Sequence, residues 1–352
     1  MSAQSGMTLW GQAWELNITY ATADGGADTV IVTSNAWDPE ALRMTFEVLQ
    51  AFNSAPLWYA DINIYNLDDQ TAQNLVVNAT WATLKAGFQF GPQLSSVIWD
   101  GPVFQVIYTR ENVVDQKLTL HCVALPGGSD MIVNFSMGQF SSQQQLVQRM
   151  IQETNLPPIN PSSGTQGQTA YQRMLVTQYP RGNTVFGKVN KFLGQLADSN
   201  LVQTWNDGKQ TYISEVDNGN RTPNYVYSPP FPPGSTGNVV GLPPNTNQSI
   251  IGTPEQIQQG VIFTVLLDPR LKVQLPPLLV QLVRTNITQL ERTPNPNNPL
   301  PTTLTGPDST NLLFFVAQVR HTGDTRGNEW QTEVTGWSAA YGQTLLNLYG
   351  GV

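Results

Sequence analysis

"LWYADINIYNLDDQTAQNL" (residues 57–75) predicts a β-strand that stops abruptly and continues as a short helix. In its first half Ile62 and Ile64 lie on one face and polar or aromatic side chains on the other, the period of two that is typical of a half-buried strand. Asp68 or Asp69 can then cap the helix, because a carboxylate there accepts a hydrogen bond from the first turn. We expect this helix to cover one end of a β unit.

Similar strands surround this stretch over about the first 135 residues. "WELNITY" (14–20) and "LRMTFEVLQ" (42–50) both alternate apolar and polar side chains, and Gly, Pro and Asn separate the strands. Many short strands at near-regular spacing predict a barrel or a sandwich. β character returns in "GVIFTVLLD" (260–268) and near the C-terminal end.

The period changes to that of a helix between about 140 and 225. "SSQQQLVQRMIQETN" (141–155) has an apolar face behind a serine cap. "NTVFGKVNKFLGQLADSN" (183–200) predicts a second helix, whose apolar stripe is Val185, Phe186, Val189, Phe192, Leu193 and Leu196. "LVQTWNDGKQTYIS" (201–214) predicts a hairpin with Asp207 and Gly208 at its turn. Together these elements predict a small α/β domain.

Two hairpin-like segments share a plan. Residues 102–123 and 313–337 each contain an apolar strand ending in Arg, a polar turn and an alternating strand. This echo favours two related β modules on either side of the α/β domain. A Pro/Gly-rich extended connector precedes the second module, and the stretch 291–311 lacks any periodicity. Loops of that length are usually functional or mobile.

The composition limits the functions that the chain can perform. Charged residues make up 12% of the 352 residues, and the formal net charge is -8. An acidic chain without clustered Lys and Arg is not suited to gripping phosphates. The few charged side chains hint at large permanent protein contacts, although an ordinary polar surface explains them equally well. No apolar stretch approaches the length of a membrane span, so no membrane segment is expected.

Candidate catalytic groups are few. His121 and the single cysteine, Cys122, lie in a β-like run; His121 is interpreted as a packed, hydrogen-bonded histidine and Cys122 as a small buried core residue. "HTGDTRGNE" (321–329) is interpreted as a hairpin turn in which Asp324 caps the backbone and glycines supply the turn geometry, rather than as a metal site. No P-loop, dinucleotide fingerprint, nucleophile elbow or zinc spacing is present. We therefore expect neither an enzyme nor a cofactor.

Five stretches resemble bacteriophage tail baseplate hub proteins, a trimeric family related to the spike-hubs of contractile injection systems. They occur in the family's order along most of the chain. They are "LRMTFEVLQAFNSAPLWYADINIYNLDDQTAQNL" (42–75), "WATLKAGFQFGPQLSSVIWDGPVFQVIYTRENVVDQKLTLHC" (81–122), "PRGNTVFGKVNKFLGQLADSNLVQTWNDGKQTYI" (180–213), "IIGTPEQIQQGVIFTVLLDPRLK" (250–272) and "VAQVRHTGDTRGNEWQTEV" (316–334). Residues 285–312 and the terminal "GWSAAYGQTLLNLYGGV" match nothing in the family pattern.

The resemblance implies a β-rich α+β fold in which two tube-like β-barrel domains flank a small α/β domain. The expected division is an N-terminal barrel at 1–138, a middle domain at 139–225, a connector at 226–256 and a second barrel at 257–352 that carries the 291–311 loop. The implied function is that of a structural virion protein, made in the cytoplasm of the host bacterium. It would sit in the tail baseplate and join the sixfold tail tube to the threefold spike or tip.

The implied assembly is a homotrimer with six barrels around a channel, in contact with tail tube or distal tail proteins, spike or tip proteins and other baseplate proteins. DNA would cross the lumen without specific binding. By analogy, the candidate interface is the strand pair that carries Arg320, Thr322, Asp324, Arg326 and Trp330. Two alternatives stay open: a tail-associated peptidoglycan hydrolase or glycan-binding module, and an unrelated β-rich adhesin.

Overall fold

The structure is a computed structural model of the whole chain. The residues that it describes are 11–34, 41–51, 58–88, 96–112, 114–124, 131–154, 159–161, 176–200, 202–206, 211–215, 223–228, 247, 249–257, 260–274, 278–282 and 313–338. These residues are mostly β with few helices, as predicted, and a large antiparallel sheet curls into a half-barrel.

The chain forms three successive groups of elements. The first β region consists of β1 (Gln12–Ala21), β2 (Ala27–Ser34), β3 (Met44–Ala51), β4 (Trp58–Tyr65), α1 (Asp69–Asn78), β5 (Ala79–Phe88), β6 (Val97–Arg110) and β7 (Gln116–Ala124). The middle region consists of β8 (Ile132–Met137), α2 (Gln143–Thr154), β9 (Ile159–Pro161), β10 (Asn183–Lys188), α3 (Val189–Asn200), β11 (Val202–Asn206) and β12 (Thr211–Glu215). The second β region consists of β13 (Tyr225–Tyr227), β14 (Ile250–Ile257), β15 (Gly260–Leu266), β16 (Leu279–Leu282), β17 (Leu313–Asp324) and β18 (Trp330–Ser338).

The predicted strand-to-helix element is confirmed. Ile62 and Ile64 of β4 are fully buried, and the side chain of Asp68 accepts a hydrogen bond from the backbone N–H of Thr71, at 2.9 Å, as the N-cap of α1. Asp69 lies inside the helix, in its first turn. α1 packs two side chains, one of them Leu75, into the core of the first β region.

Both β regions belong to one sheet. Its strand order is β14–β15–β18–β17–β3–β4–β7–β6–β5–β1–β2, and β16 and β13 branch from β17. The pairing of β17 with β3, which we call the seam, is the only place within the described ranges where strands of the two regions pair. Sequence segments about 270 positions apart are therefore neighbours in the same sheet.

The two β regions repeat a strand order. β3–β4–β7–β6–β5 in the first matches β14–β15–β18–β17–β16 in the second, and every neighbouring pair is antiparallel. The echo between residues 102–123 and 313–337 is thus a hairpin that occupies the same place in both units. The units differ beyond this set, because β1 pairs antiparallel with β5 whereas β13 pairs parallel with β16.

The matching hairpins agree in register as well as in order. Each has one irregularity in its first strand, at Phe104 in β6 and at Ala317 in β17. Between the irregularity and the turn, each hairpin has six residue pairs. They run from Gln105–His121 to Arg110–Gln116 in the first hairpin and from Gln318–Thr335 to Gly323–Trp330 in the second.

The middle region has a small core of its own. Ser142 caps α2 in a reciprocal arrangement with Gln145: its hydroxyl accepts from the Gln145 N–H at 3.2 Å, and the Gln145 side chain accepts from the Ser142 N–H at 3.0 Å. Residues of β8, β10 and α3 pack with α2 around this core. The serine cap that the sequence predicts is confirmed.

One predicted helix begins later than expected. Val185 and Phe186 lie in β10, which pairs with β8, and helix α3 begins only at Val189. Gly187, within β10, adopts a φ of +140°, a conformation that L side chains rarely adopt and that does not belong to a helix. Val185 is buried, but Phe186 is 70% exposed, so the single stripe through all six apolar residues is wrong.

Several predicted features fall at or beyond the limits of the described residues. The hairpin of residues 201–214 is confirmed by the antiparallel pairing of β11 with β12, while its turn at Asp207 and Gly208 lies outside them. The 291–311 loop also lies outside them. β13 and β14 stand at the two ends of the 226–256 connector, most of which the structure does not describe.

Candidate functional site

The seam is built from seven residue pairs. β17 runs antiparallel to β3 from Gln318, opposite Ala51, to Asp324, opposite Thr45. Met44, Phe46 and Val48 of β3 face the core, as their alternation predicts, so the residues between them face the other side of the sheet. The five predicted interface residues all lie in β17, in β18 or in the turn between them.

Arg320 and Thr322 lie beside Glu47 on the face of the seam opposite the core. Arg320 donates from Nε and Nη2 to Oε1 of Glu47, at 3.0 and 2.8 Å, and Thr322 is the residue directly opposite Glu47. The hydroxyl of Tyr59 donates to the same oxygen at 2.8 Å. Burial and this hydrogen bond both raise the pKa of Tyr59.

Asp324 forms a second ion pair across the seam. Its Oδ1 and Oδ2 accept hydrogen bonds from Nε and Nη2 of Arg43, at 3.2 and 2.8 Å, and Arg43 also lies 4.9 Å from the ring centre of Tyr65. The hydrogen bond from the guanidinium is the main cause that lowers the pKa of Asp324. Asp324 therefore stays ionised at neutral pH and anchors the end of β17.

The turn after β17 continues the contact. Thr325 donates its backbone N–H to the carbonyl of Met44 at 3.0 Å and accepts the Met44 N–H on its Oγ1 at 2.9 Å. Arg326 donates from Nη2 to the carbonyl of Ala41 at 2.7 Å, and its own N–H is capped by Asp324 Oδ1 at 3.0 Å. The predicted role of Asp324 as a backbone cap is confirmed.

Trp330 crosses from the second β region into the core of the first. It begins β18, as predicted, but only 3% of its side chain is exposed, and it packs with the buried cluster of β1, β3–β7 and α1. Its ring meets Phe46 edge to face, with centroids 5.3 Å apart, and its Nε1 donates to the carbonyl of Gly87 at 3.1 Å. An indole with its N–H satisfied inside another unit's core fixes the two regions against each other.

At positions 323 and 327 the neighbouring side chains leave no room for a residue larger than glycine. The sequence interpretation assigned Gly323 and Gly327 to turn geometry, but neither adopts a positive φ, and Gly323 lies within β17. A Cβ on Gly323 would lie 2.4 Å from two ring carbons of Phe46 and 2.8 Å from Trp330, and one on Gly327 would lie 2.7 Å from Oδ2 of Asp324. Close packing of Phe46 and Trp330, rather than a turn, explains the glycine at 323.

A buried glutamine in β3 joins three parts of the chain. Gln50 is 7% exposed; its Nε2 donates to the carbonyl of Ile98, and its Oε1 accepts the N–H of Val273, both at 3.1 Å. Neither Gln50 nor Arg43, Phe46 or Glu47 was predicted as a site residue. The available signal was Arg43 and Glu47, two charged residues within or next to a strand that contains no other charged residue.

The two histidines have different environments. His321 is fully buried, with Nε2 3.1 Å from the carbonyl of Leu271 and Nδ1 2.9 Å from Oγ1 of Thr332. A carbonyl can only accept, so Nε2 carries a proton. Desolvation lowers its pKa to about 4. His121 contacts Asp61, at 2.6 Å from Nδ1 to Oδ1, but its side chain is 35% exposed and not packed in the core.

The described side chains are arranged for packing and strand pairing. Cys122 is fully buried, as predicted, and burial raises the pKa of its thiol to about 12, which suits a core residue rather than a nucleophile. Within the described ranges, no three His, Cys, Asp or Glu side chains lie close enough together to hold a metal ion. A search of those same residues finds no helix that is long and apolar enough to cross a membrane.

Solved structures with the same architecture exist. The tail protein from Neisseria meningitidis MC58 superposes with a TM-score of 0.50 over 94% of this chain and 98% of its own length, at 10% sequence identity. The chain therefore shares the fold of this tail protein. The resemblance read from the sequence is thus confirmed at the level of the fold.

A chain of the Francisella PdpA–VgrG complex in its half-lidded form also matches this tail-protein fold. Its TM-score is 0.51 at 9% identity, and the match covers 95% of the present chain but 59% of the Francisella one. The fold found here is therefore contained within a longer chain in that complex. No protein-family model matches the sequence, and no curated protein does.

Proposed function

We propose that the chain is a structural protein of a phage tail baseplate, the hub at the distal end of the tail tube. Three copies form a ring that joins the sixfold tube to the threefold spike or tip. The likeness in fold to the Neisseria tail protein supports a tail role, because nearly the whole of both chains superposes. In this proposal the domains are two tube-like barrels at 1–138 and 257–352, with the middle domain at 139–225 and the connector at 226–256. Two strands cross these bounds, because β8 pairs with β10 of the middle region and β14 pairs with β15 of the second β region.

The repeated strand order is the observation that carries this proposal. One chain holds two units with the order β3–β4–β7–β6–β5 and β14–β15–β18–β17–β16, joined side by side through the seam. A ring of three copies would then present six similar units, and six is the number that a sixfold tube requires. Head-to-tail contacts that close on themselves generate such rings.

One face of the shared sheet is suited to line the channel. In β3, β4 and β7 the residues that alternate with the core are mostly polar and include Glu47, Asp61, Asn63, Thr119 and His121, although Leu49 and Val123 lie on the same face. The chain's net charge of -8 adds a repulsion toward phosphates. DNA would therefore slide through the ring without being held, in keeping with a role as a passage.

The partners follow from this position. Tail tube or distal tail proteins would contact the ring on one side and spike or tip proteins on the other, with other baseplate proteins around it. The protein would reside in the virion tail after synthesis in the cytoplasm of the host bacterium. The candidate contact residues Arg320, Thr322, Asp324, Arg326 and Trp330 would act in this ring by fixing the angle between the two units of one chain.

The mass of the protein in solution and its electron microscope images together test the proposal. Sedimentation of the purified chain over a wide concentration range should show a species of three chains, and electron microscopy of that species should show a threefold ring with an open centre. A chain that is monomeric at every concentration, or a trimer without a channel, would contradict the proposal.

The hydrolase alternative predicts a different result. A peptidoglycan hydrolase would release soluble fragments from purified cell walls, and replacing its catalytic carboxylates with amides would abolish that release. We expect no release by the wild-type chain. Release that disappears with one Asp→Asn or Glu→Gln substitution would favour the alternative.

A further inference from the structure

One strand edge of the first unit lacks the strand partner that the matching edge of the second unit has. In the second unit, β17 is paired along both edges: with β18 on one side, and on the other with β16 at residues 313–315 and with β3 at residues 318–324. In the first unit, β6 pairs with β5 only at residues 97–102. Within the described residues, its remaining stretch Gln105–Arg110 pairs with β7 alone. This stretch of β6 corresponds to the part of β17 that forms the seam.

The other end of the sheet has the complementary free edge. β14 corresponds to β3, and among the described strands it pairs only with β15. In each unit a row of residues that lie opposite one another on neighbouring strands can be followed from the hairpin irregularity to the last strand, which is β3 in the first unit and β14 in the second. The two rows are Gln105–His121–Asp61–Glu47 and Gln318–Thr335–Ile262–Glu255. Glu255 of β14 therefore occupies the place of Glu47 in β3.

We propose that Ile107–Thr109 of β6 pairs antiparallel with Glu255–Ile257 of β14 in a second copy of this chain, in the register of the seam. Thr322 is opposite Glu47 in the seam, so its counterpart Thr109 would be opposite Glu255 of the next copy. The inference rests on the proposed function and specifies how the ring closes. Each copy offers one β6 edge and one β14 edge that lack a strand partner among the described residues, so the contact is head-to-tail and three copies use both kinds of edge.

Side chains along the two edges fit this register. Ile107 would be opposite Ile257 and Tyr108 opposite Gln256, which gives an apolar cross-strand pair and a neutral polar one. Beyond Glu255 the strand β14 is irregular: it contains Gly252 at a φ of +71° and Pro254, which has no N–H to donate. The ladder should therefore be short and end near Thr109.

Phe104 marks the same contact. It lies at the hairpin irregularity of β6 and is 68% exposed, whereas Ala317, at the matching position of β17, is 4% exposed. An exposed aromatic ring beside a free strand edge is a typical centre for a protein interface. Closure of the ring would cover Phe104.

A cysteine pair tests the register directly. Thr109→Cys combined with Glu255→Cys should form disulfides between copies on mild oxidation and give a covalent three-chain species in denaturing electrophoresis. The matched control is Thr322→Cys combined with Glu47→Cys, the equivalent pair inside one chain, which should oxidise without any increase in mass. The native Cys122 is fully buried and should not contribute.

The outcomes separate this inference from the proposed function. If the double variant Thr109→Cys, Glu255→Cys forms a three-chain ring by sedimentation but gives no covalent product on oxidation, the strand pairing is overturned and the hub proposal stands. A chain that never associates would overturn both.

A second variant does not depend on disulfide geometry. Phe104→Glu should weaken association of the three chains by at least about tenfold, because a carboxylate would be buried in the contact. Folding should be unchanged, since residue 104 is exposed in the single chain. Ile31→Glu is the matched control: Ile31 is 64% exposed on β2, and this variant should associate normally. Equal association of both variants would overturn the assignment of Phe104.

Discussion

Arg43 and Asp324 lie 281 positions apart in the sequence and form a two-point ion pair, with Nε–Oδ1 at 3.2 Å and Nη2–Oδ2 at 2.8 Å. The pair connects Arg43, the residue before β3, to Asp324, the last residue of β17. It is therefore a contact between the two units of one chain, at the end of the seam where the hairpin turn begins.

Removing either partner of this pair should destabilise the seam modestly. We expect Arg43→Ala and Asp324→Asn each to lower the free energy of unfolding by about 1 kcal/mol, because the pair is bidentate but partly exposed. Urea unfolding of both variants and of the double variant gives the coupling energy, expected at about 0.5–1 kcal/mol. Arg149→Ala, which breaks an exposed pair within α2, is the control and should change stability by less than about 0.5 kcal/mol. Strict additivity would show that the two residues do not interact in solution.

Gly323→Ala should cost far more than an ordinary glycine substitution in a strand. The added methyl group would meet the rings of Phe46 and Trp330 at under 3 Å, and both rings are fixed in the core. Overpacking of this kind typically costs about 1–3 kcal/mol. Thermal or urea unfolding measures the loss. Gly138→Ala is the matched control, because nothing lies within 4 Å of its added Cβ, and it should leave stability nearly unchanged.

Local pattern was sufficient to predict the elements of the first β region. Alternation placed Met44, Phe46 and Val48 on the buried face, and the carboxylate of Asp68 marked the start of α1. These features depend on neighbours within a few residues, so the sequence alone contains them. The same reasoning failed at Phe186, where a 3.6-residue spacing of apolar side chains continued by chance across the end of a strand.

Pairing between distant strands could not be predicted in this way. Arg320 was suspected from the hairpin that contains it, but nothing near it in the sequence indicates Glu47, 273 positions away. Register has the same limitation, because shifting a strand by one residue exchanges its two faces. The burial of Trp330 in the core of the other unit likewise depends on the seam. From the sequence alone, a tryptophan at the start of a strand could equally be an exposed interface residue.

Acid should destabilise the protein through His321. The pKa of this histidine falls from an ordinary value of 6.5 to about 4 on folding because its ring is desolvated. Below pH 6.5 the unfolded chain therefore binds a proton that the folded chain does not accept until about pH 4, so stability is complete above this interval and is lost as the pH falls through it. The loss should be on the order of 3 kcal/mol.

Urea unfolding at a series of pH values between 7.5 and 4 measures this effect. His321→Gln keeps an amide N–H that can donate to the carbonyl of Leu271, and it should unfold with a flatter dependence on pH in that interval. Asp324 contributes in a separate interval, because its pKa is depressed below 3.8 and its stabilisation is lost only as the pH falls further. A wild-type chain with constant stability from pH 6.5 to 4 would contradict a neutral buried His321.

Asp61→Lys should slow the passage of DNA if the polar face of the sheet lines the channel. Asp61 lies between two fully buried neighbours of β4 and faces the opposite side of the sheet, with 43% of its side chain exposed. A lysine there changes the charge of each chain by two units and, in a ring, would place several cations around the same level of the lumen, where they attract phosphates. The kinetics of triggered DNA ejection from particles that carry the variant measure the effect, which should shrink as salt screens the charges. Asp28→Lys, an equal change of charge on the exposed strand β2, should leave ejection unchanged. Identical kinetics for both variants and the wild type would place the polar face of β4 away from the DNA path.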